Sequence, residues 1–99
     1  MVKDFNKYRR EADLLKAIAH PVRLCILEGL IDEECNVGKM QECLGLPQAN
    51  VSQHLAVLRA RGIVAGHREG LEVRYSVVDP RVARVVRSIL GGEGSGVDG

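Results

Sequence analysis

One stretch, Gly45 to Gly62, restricts the fold of this chain more than any other. Pro47 suits the first position of a helix, where a missing N–H costs nothing, and Gly62 suits the residue just past the helix end. About four turns of helix fit between them. Three apolar residues then share one stripe that suits a core: Val51, Leu55 and Leu58.

The opposite side of this helix carries amides and a hydroxyl among alanines, where Lys and Glu are usual. Its residues are Gln48, Ala49, Ser52, Gln53 and Ala56. An amide donates and accepts together, which reading a base edge in the major groove requires, and Ala allows close approach. This face is typical of a DNA-recognition helix; a polar surface helix with no partner is the alternative.

The segment before this helix predicts a shorter helix, with Asn36 as its N-cap and Gly45 at its end. Its buried side is expected to hold four residues: Val37, Met40, Cys43 and Leu44. The link Gly45-Leu46 leads directly into the longer helix, which is the layout of a helix-turn-helix.

The segment after it, Ile63 to Val78, predicts two strands around a tight turn at Glu69-Gly70, where glycine supplies the positive φ. Apolar and polar residues alternate along the second strand: Leu71, Val73 and Tyr75 against Glu72, Arg74 and Ser76. A hairpin directly after a helix-turn-helix is a wing.

Three further helices complete the predicted elements. The first covers about Asp4 to Ala19, and the second runs from Pro21 to about Leu30, is apolar nearly all round and belongs in the core. The last is capped by Asp79, has Pro80 in its first turn and runs to Leu90. The first helix has an apolar stripe of Leu14, Leu15 and Ile18, and the last has one of Val82, Val85, Val86, Ile89 and Leu90.

The segment from Leu44 to Val64, with Arg68 to Gly70 and Val73 to Tyr75, resembles the ArsR/SmtB family of bacterial winged-helix repressors. Leu15 to Leu30 resembles it too, so that the similarity covers most of the chain. The resemblance implies a mainly α winged helix-turn-helix with a small β-hairpin, in the order ααααββα. It also implies a homodimer through the first and last helices, which predicts an imperfect inverted-repeat operator. In the alternative, the last helix folds back on its own subunit.

Composition agrees with one small domain of 99 residues whose core is aliphatic, since the chain has two Tyr, one Phe and no Trp. We assign residues 1–90 to this domain and the glycine-rich residues 91–99 to a disordered tail. The N-terminus is charged and no apolar run approaches the roughly 20 residues of a membrane span, so that a cytoplasmic protein with no membrane partner is expected. The net charge is only +1, although the segment from Pro47 to Tyr75 is basic and that from Glu28 to Glu42 is acidic.

Candidate contacts with double-stranded DNA lie on the recognition face and in the wing. Gln48 and Gln53 suit adenine edges, Ser52 suits a base or a phosphate, and Ala49 is a close-approach position. Asn50 and His54 lie on another flank and are expected to pack or bond within the fold, with a phosphate contact of His54 as the alternative. The wing candidates are His67, Arg68 and Arg74, each of which could equally be an ordinary exposed residue.

The resemblance also implies a sensor, because members of this family release DNA when a metal, metalloid or oxidant reaches their ligands. The paired cysteines Cys-Val-Cys of the arsenic and cadmium types correspond to Cys35-Asn-Val37, which keeps only the first thiol. The His and acidic ligands of the zinc and nickel types are missing from Pro80 to Leu90. No metal site and no cofactor are therefore predicted.

Three thiols remain as candidates: Cys25, Cys35 and Cys43. Cys25 and Cys43 are interpreted as small core residues unless they take part in sensing, because free Cys is often buried. Cys35 precedes a helix N-terminus, which favours its thiolate, while Glu33 and Glu34 oppose it.

Three sensor hypotheses stay open. In the first, peroxide or persulfide oxidises Cys25 and Cys35 or bridges them by sulfur; in the second, two or three of the thiolates bind arsenite or another thiophilic ion. In the third, no cysteine carries a signal. A winged helix that binds only protein is a further alternative, whereas an enzyme is not expected, since His20, His54 and His67 are scattered and no phosphate-binding loop occurs.

Overall fold

The structure is a computed structural model that describes residues 4–91. Within them, five helices and a two-stranded antiparallel hairpin follow the predicted order ααααββα. Their bounds are α1 (Asn6–Ile18), α2 (Pro21–Asp32), α3 (Val37–Leu44), α4 (Gln48–Ala60), β1 (Val64–Glu69), β2 (Glu72–Val77) and α5 (Pro80–Leu90). The mainly α winged helix-turn-helix is confirmed.

The first two helices differ from the prediction only at their ends. Asp4 stays outside α1, where its Oδ1 accepts the Asn6 N–H at 2.9 Å. The α2 helix continues past Leu30 to Asp32, and His20 caps its start, because the ring Nδ1 accepts the Val22 N–H at 3.1 Å. A histidine N-cap was not anticipated.

Local bonds fix both ends of α4. Pro47 is the N-cap rather than the first helical residue: its ψ of 152° is extended, and its carbonyl accepts the Val51 N–H at 3.2 Å. At the other end Gly62 has a φ of 71° and donates to the Arg59 carbonyl, while the next N–H, of Ile63, donates to the Leu58 carbonyl. This pair of bonds is a Schellman motif, in which glycine takes the left-handed position.

The hairpin register places the turn one residue later than predicted. Glu69 pairs with Glu72, so the loop residues are Gly70, with a φ of 65°, and Leu71. Glycine at the first of two loop positions matches a type II′ turn, whose twist suits the two strands. Leu71 is fully exposed at this tip, so that its expected place in the apolar alternation is wrong.

The core contains the expected stripe of α4 together with residues of every other helix. Its buried members are Ala17, Ile18, Ile26, Leu27, Leu30, Met40, Val51, Leu55, Leu58, Ile63, Val64, Val82 and Val86. Leu15 was expected among them but is 52% exposed, because α2 and α4 pack against the side of α1 that holds Ala17 and Ile18.

The last helix uses only part of its apolar face in this core. Val82 and Val86 are buried, whereas Ile89 and Leu90 are exposed. Gly91 ends α5 with a φ of 90°, and residues 92–99 of the predicted tail lie outside the described residues. No helix between residues 4 and 91 is long and apolar enough to cross a membrane.

Candidate nucleic-acid interface and cysteine-lined cavity

The polar face of α4 is exposed as a unit. Gln48, Ala49, Ser52 and Gln53 all face solvent, while Val51 on the opposite stripe is completely buried. Pro47 leaves the α4 start without a side-chain cap bond, so that its first N–H groups also point outward. The arrangement offers amides, a hydroxyl and a helix N-terminus on one accessible surface.

Asn50 belongs to this surface as well, which corrects the expectation that it packs within the fold. It is exposed, since Val51 is the one residue between positions 47 and 51 that reaches the core. Helical spacing predicts its direction correctly, but no other described element covers that flank of α4.

His54 bonds within the fold, as expected. Its Nδ1 accepts a hydrogen bond from Arg23 Nε at 3.3 Å, and its ring centroid lies 4.6 Å from that of His20. Arg23 also donates to the Ala17 carbonyl at 2.8 Å. Burial, followed by the neighbouring His20 and Arg23, lowers the pKa of His54, so that the neutral acceptor form persists at physiological pH. This contact ties α4 to the junction of α1 and α2.

The three wing candidates have different surroundings. His67 Nε2 lies 3.5 Å from Glu34 Oε1. Arg74 lies within 4 Å of three carboxylates, those of Glu34, Glu69 and Glu72. Arg68 is exposed and forms no ion pair with any residue in the 4–91 range, which makes it the wing cation that is available to a phosphate.

The linker between α2 and α3 is joined to the wing at two neighbouring positions. Cys35 and Tyr75 exchange backbone hydrogen bonds, at 3.2 Å from the Cys35 N–H and 2.9 Å from the Tyr75 N–H. Beside them, the Glu34 carboxylate meets both His67 and Arg74. The linker is therefore bonded to the wing through both its backbone and a side chain.

All three cysteines line one cavity of about 300 Å³ between α2 and α3. Its walls are mainly apolar, and three charged residues complete the lining: Asp32, Glu33 and Lys39. Cys25 and Cys43 are exposed, so the interpretation of these two as small core residues is wrong. The cause is tertiary, because no described element fills the space between the two helices.

Cys35 is the most enclosed of the three thiols. Its Sγ donates to the Asn36 carbonyl at 3.5 Å. Burial, and next the nearby Cys43, raise the pKa of Cys35 despite opposing effects of Lys39 and Arg74. The helix N-terminus does not prevail, and the thiol form is favoured. Among residues 4–91, no group of three or more His, Cys, Asp or Glu could hold a metal ion.

Comparison with known proteins places this arrangement among transcriptional regulators. Residues 18–67, which span α2 to α4 and part of β1, match the profile of a helix-turn-helix domain family. The transcriptional repressor PagR of Bacillus anthracis is 40% identical over 85 residues, which cover 85% of each chain. The repressor SmtB of Mycobacterium tuberculosis is 42% identical over 74 residues, or 75% of this chain and 55% of the relative.

Solved structures show the same likeness over the whole fold. The crystal structure of PagR superposes with a TM-score of 0.78 at 36% identity, covering 87% of this chain and 99% of the other. NolR from Sinorhizobium fredii superposes with a TM-score of 0.83 at 31% identity, covering 98% and 100%. The elements that carry the polar face and the cavity therefore lie within the region of likeness.

Proposed function

Because this chain belongs to the ArsR/SmtB family of winged-helix transcriptional regulators, a non-enzymatic family, we propose that it is a sequence-specific repressor of transcription. The observation that carries this proposal is the exposed polar face of α4, which stands opposite a fully buried stripe. A surface of amides with short side chains beside it suits the major groove of double-stranded DNA. PagR and SmtB are named as repressors, which supports the same assignment.

Base reading is assigned to the α4 face and phosphate contact to its surroundings. Gln48 and Gln53 each present an amide that can bond an adenine edge at two positions, and Ser52 lies between them. Ala49 lets the backbone come close. Arg68 at the wing contacts the sugar-phosphate backbone, since the other wing candidates, His67 and Arg74, already face carboxylates of the protein.

The repressor acts as a homodimer on an inverted-repeat operator. Large apolar side chains stay exposed on α1 and at the end of α5: Leu15 at 52%, Ile89 at 64% and Leu90 at 40%. A small domain with such residues gains stability by covering them with a second copy. A two-fold axis through these helices gives two α4 faces that meet successive major grooves.

The inducing signal reaches the thiols Cys25 and Cys35, through a peroxide or a persulfide. Two observations support this part: both residues line the same cavity, and Cys35 lies in the linker whose backbone pairs with the wing. A thiol modification that enlarges or shifts Cys35 strains this pairing and alters the position of the wing against DNA. For the hypothesis of a bound thiophilic ion, no group of three or more His, Cys, Asp or Glu among the described residues could hold the ion, which leaves a site of two thiolates as the remaining alternative.

The test of DNA reading is a double variant, Ser52→Ala with Gln53→Ala. Loss of one bidentate amide contact costs about 1–3 kcal/mol, so operator affinity should fall about ten- to a hundredfold at fixed salt. Binding is measured by fluorescence anisotropy on the native upstream region, and dimer size by sedimentation. Ser88→Ala, an exposed serine on α5, is the matched control and should bind normally. Unchanged operator binding by the double variant contradicts the proposed reading face.

A further inference from the structure

The cavity between α2 and α3 has the size and lining of a small-molecule site. Its volume of about 300 Å³ is at the lower end of the range for ligand pockets, about 300–1,000 Å³. Its apolar lining includes Ile26, Leu30, Met40 and Leu44. A ligand here gains by burying hydrocarbon, so an apolar molecule is favoured over a strongly hydrated one.

The charged residues at this cavity restrict the charge and the functional groups that a ligand can carry. Asp32 and Glu33 carry exposed carboxylates, which disfavour an anion. Lys39 offers an ammonium donor, which suits a ligand with an uncharged carbonyl acceptor. An apolar body with one carbonyl group therefore fits the lining.

The thiols that line the cavity can react with an electrophilic ligand, and Cys43 is the best placed of the three for this reaction. It is exposed and follows Lys39 by four residues on α3, so the ammonium and the thiol lie on one side of that helix. Cys25 instead shares its side of α2 with the carboxylates of Glu28 and Asp32. Cys35 is partly buried, and its Sγ already donates to a backbone carbonyl.

We propose that this cavity binds small, uncharged, apolar enones or quinones and that Cys43 captures their electrophilic carbon. The thiol first loses its proton to water. The thiolate sulfur then forms a bond to the β-carbon, the C=C π pair moves toward the carbonyl oxygen, and Lys39 stabilises the resulting enolate. Water protonates the α-carbon, so the net change is addition of a thiol across a double bond, with no oxidant and no leaving group.

The regulatory consequence rests on the proposed function. Cys35 lines the same cavity and pairs through its backbone with Tyr75, while the adjacent Glu34 contacts His67 and Arg74. An adduct that fills the cavity presses on this linker and moves the wing. Enone capture therefore weakens operator binding, which names a class of inducer for the site.

Competition between two electrophiles tests the site without DNA. The probes are 2-cyclohexen-1-one, with an apolar ring, and acrylamide, which is smaller and more polar. Peptide mass spectrometry gives the rate at each cysteine, in the folded chain and in the same chain unfolded in urea. We expect folding to raise the cyclohexenone-to-acrylamide rate ratio at Cys43 about tenfold. An equal ratio in both states, or faster capture at Cys25, overturns the proposal.

Gly29 allows the cavity to be blocked with little risk to folding. It lines the cavity, and a Cβ there would meet nothing within 4 Å. Gly29→Leu should abolish the folding-dependent preference at Cys43, while Gly29→Ala, the matched control, should keep most of it. Both replacements favour a helix over glycine. A Gly29→Leu chain that reacts like the parent overturns the proposal.

An operator-release assay distinguishes a failure of this site from a failure of the proposed function. Cyclohexenone should release the operator from the parent and from Cys35→Ser, but not from Cys43→Ser, whereas peroxide or persulfide should fail on Cys35→Ser. Selective Cys43 capture in a chain that binds no operator supports the site and contradicts the repressor. A normal repressor that keeps its operator after full Cys43 capture overturns the regulatory part of the inference.

Discussion

Gly66 stands opposite Tyr75 in the wing, and its missing side chain provides the room that the tyrosine ring occupies. A Cβ at this position would lie 2.9 Å from Tyr75 Cε1 and 2.9 Å from Val73 Cγ1. Such contacts force a shift of the ring or of the strand. Since Tyr75 also pairs with Cys35, this one glycine helps to hold the linker against the hairpin.

Gly66→Ala should therefore destabilise the protein, by about 1–3 kcal/mol as an overpacking change. Urea denaturation followed by circular dichroism gives the free energy of unfolding. Gly29→Ala is the control, because its new methyl group meets open space in a helix and should stabilise by about 0.4–1 kcal/mol. Equal effects of the two substitutions would contradict the close fit at Gly66.

Asn50 and Cys43 show why residue-scale prediction from periodicity has a limit. Helical spacing gives the direction of each side chain correctly, but it does not say whether another element covers that direction. Asn50 is exposed because no other described element covers its flank of α4, and Cys43 is exposed because α2 stands away from it across the cavity.

At the scale of elements, the helix ends are the best-specified features of this chain. Asp79 caps α5 by accepting the Arg81 N–H at 2.9 Å and the Val82 N–H at 3.4 Å, and its side chain is also bonded by the Arg81 guanidinium. The hydrogen bond from Arg81 is the largest cause that lowers the pKa of Asp79, helped by the two backbone N–H groups. The hydrogen bonds of this cap therefore favour the ionised carboxylate.

This lowered pKa predicts a pH dependence of stability. Because the folded pKa lies below the unfolded value of about 3.9, the cap contributes fully above that pH and is lost as the pH falls through the folded pKa. Asp79→Ala should cost about 0.5–2 kcal/mol at neutral pH and less at about pH 2–3. Urea unfolding at both pH values measures this difference.

The control for Asp79→Ala is a variant at an acidic residue that caps no helix. Asp32→Ala, at the exposed C-terminal end of α2, removes a carboxylate that forms no hydrogen bond or ion pair with the rest of residues 4–91. It should not reproduce the deficit at neutral pH. A deficit of Asp79→Ala that stays constant across the acidic range would show that the charge on Asp79 does not stabilise α5.

In the molecule as a whole, large apolar residues stay exposed on α1 and α5, the two helices proposed to form the dimer interface. Val82 and Val86 of α5 pack in the core of their own subunit, so the alternative in which α5 folds back holds in part, while the dimer stays a prediction that the exposed Ile89 and Leu90 leave open. Arg81 at the start of α5 forms an ion pair with Glu11 of α1 at 3.0 Å, which links the two candidate interface helices.

Ile89→Lys should weaken the proposed homodimer, because it places a charge where an isoleucine would be buried. Burying such a side chain is worth about 1.5–3 kcal/mol, so the dimer dissociation constant should rise at least about tenfold. Analytical ultracentrifugation measures it. Leu71→Lys is the matched control, since Leu71 is equally apolar but fully exposed at the wing tip. A dimer that tolerates Ile89→Lys but not Leu71→Lys would place the interface at the wing.

Local sequence patterns were enough to predict the order of elements, the helix ends at Asn36, Gly62 and Asp79, and the division of α4 into a buried and an exposed side. These features depend on residues within a few positions of each other. The positions of the three cysteines around one cavity, and the contacts of Glu34 with His67 and Arg74, became visible in the packed fold alone. Contacts between residues far apart in the chain depend on how the helices pack, which local patterns do not specify.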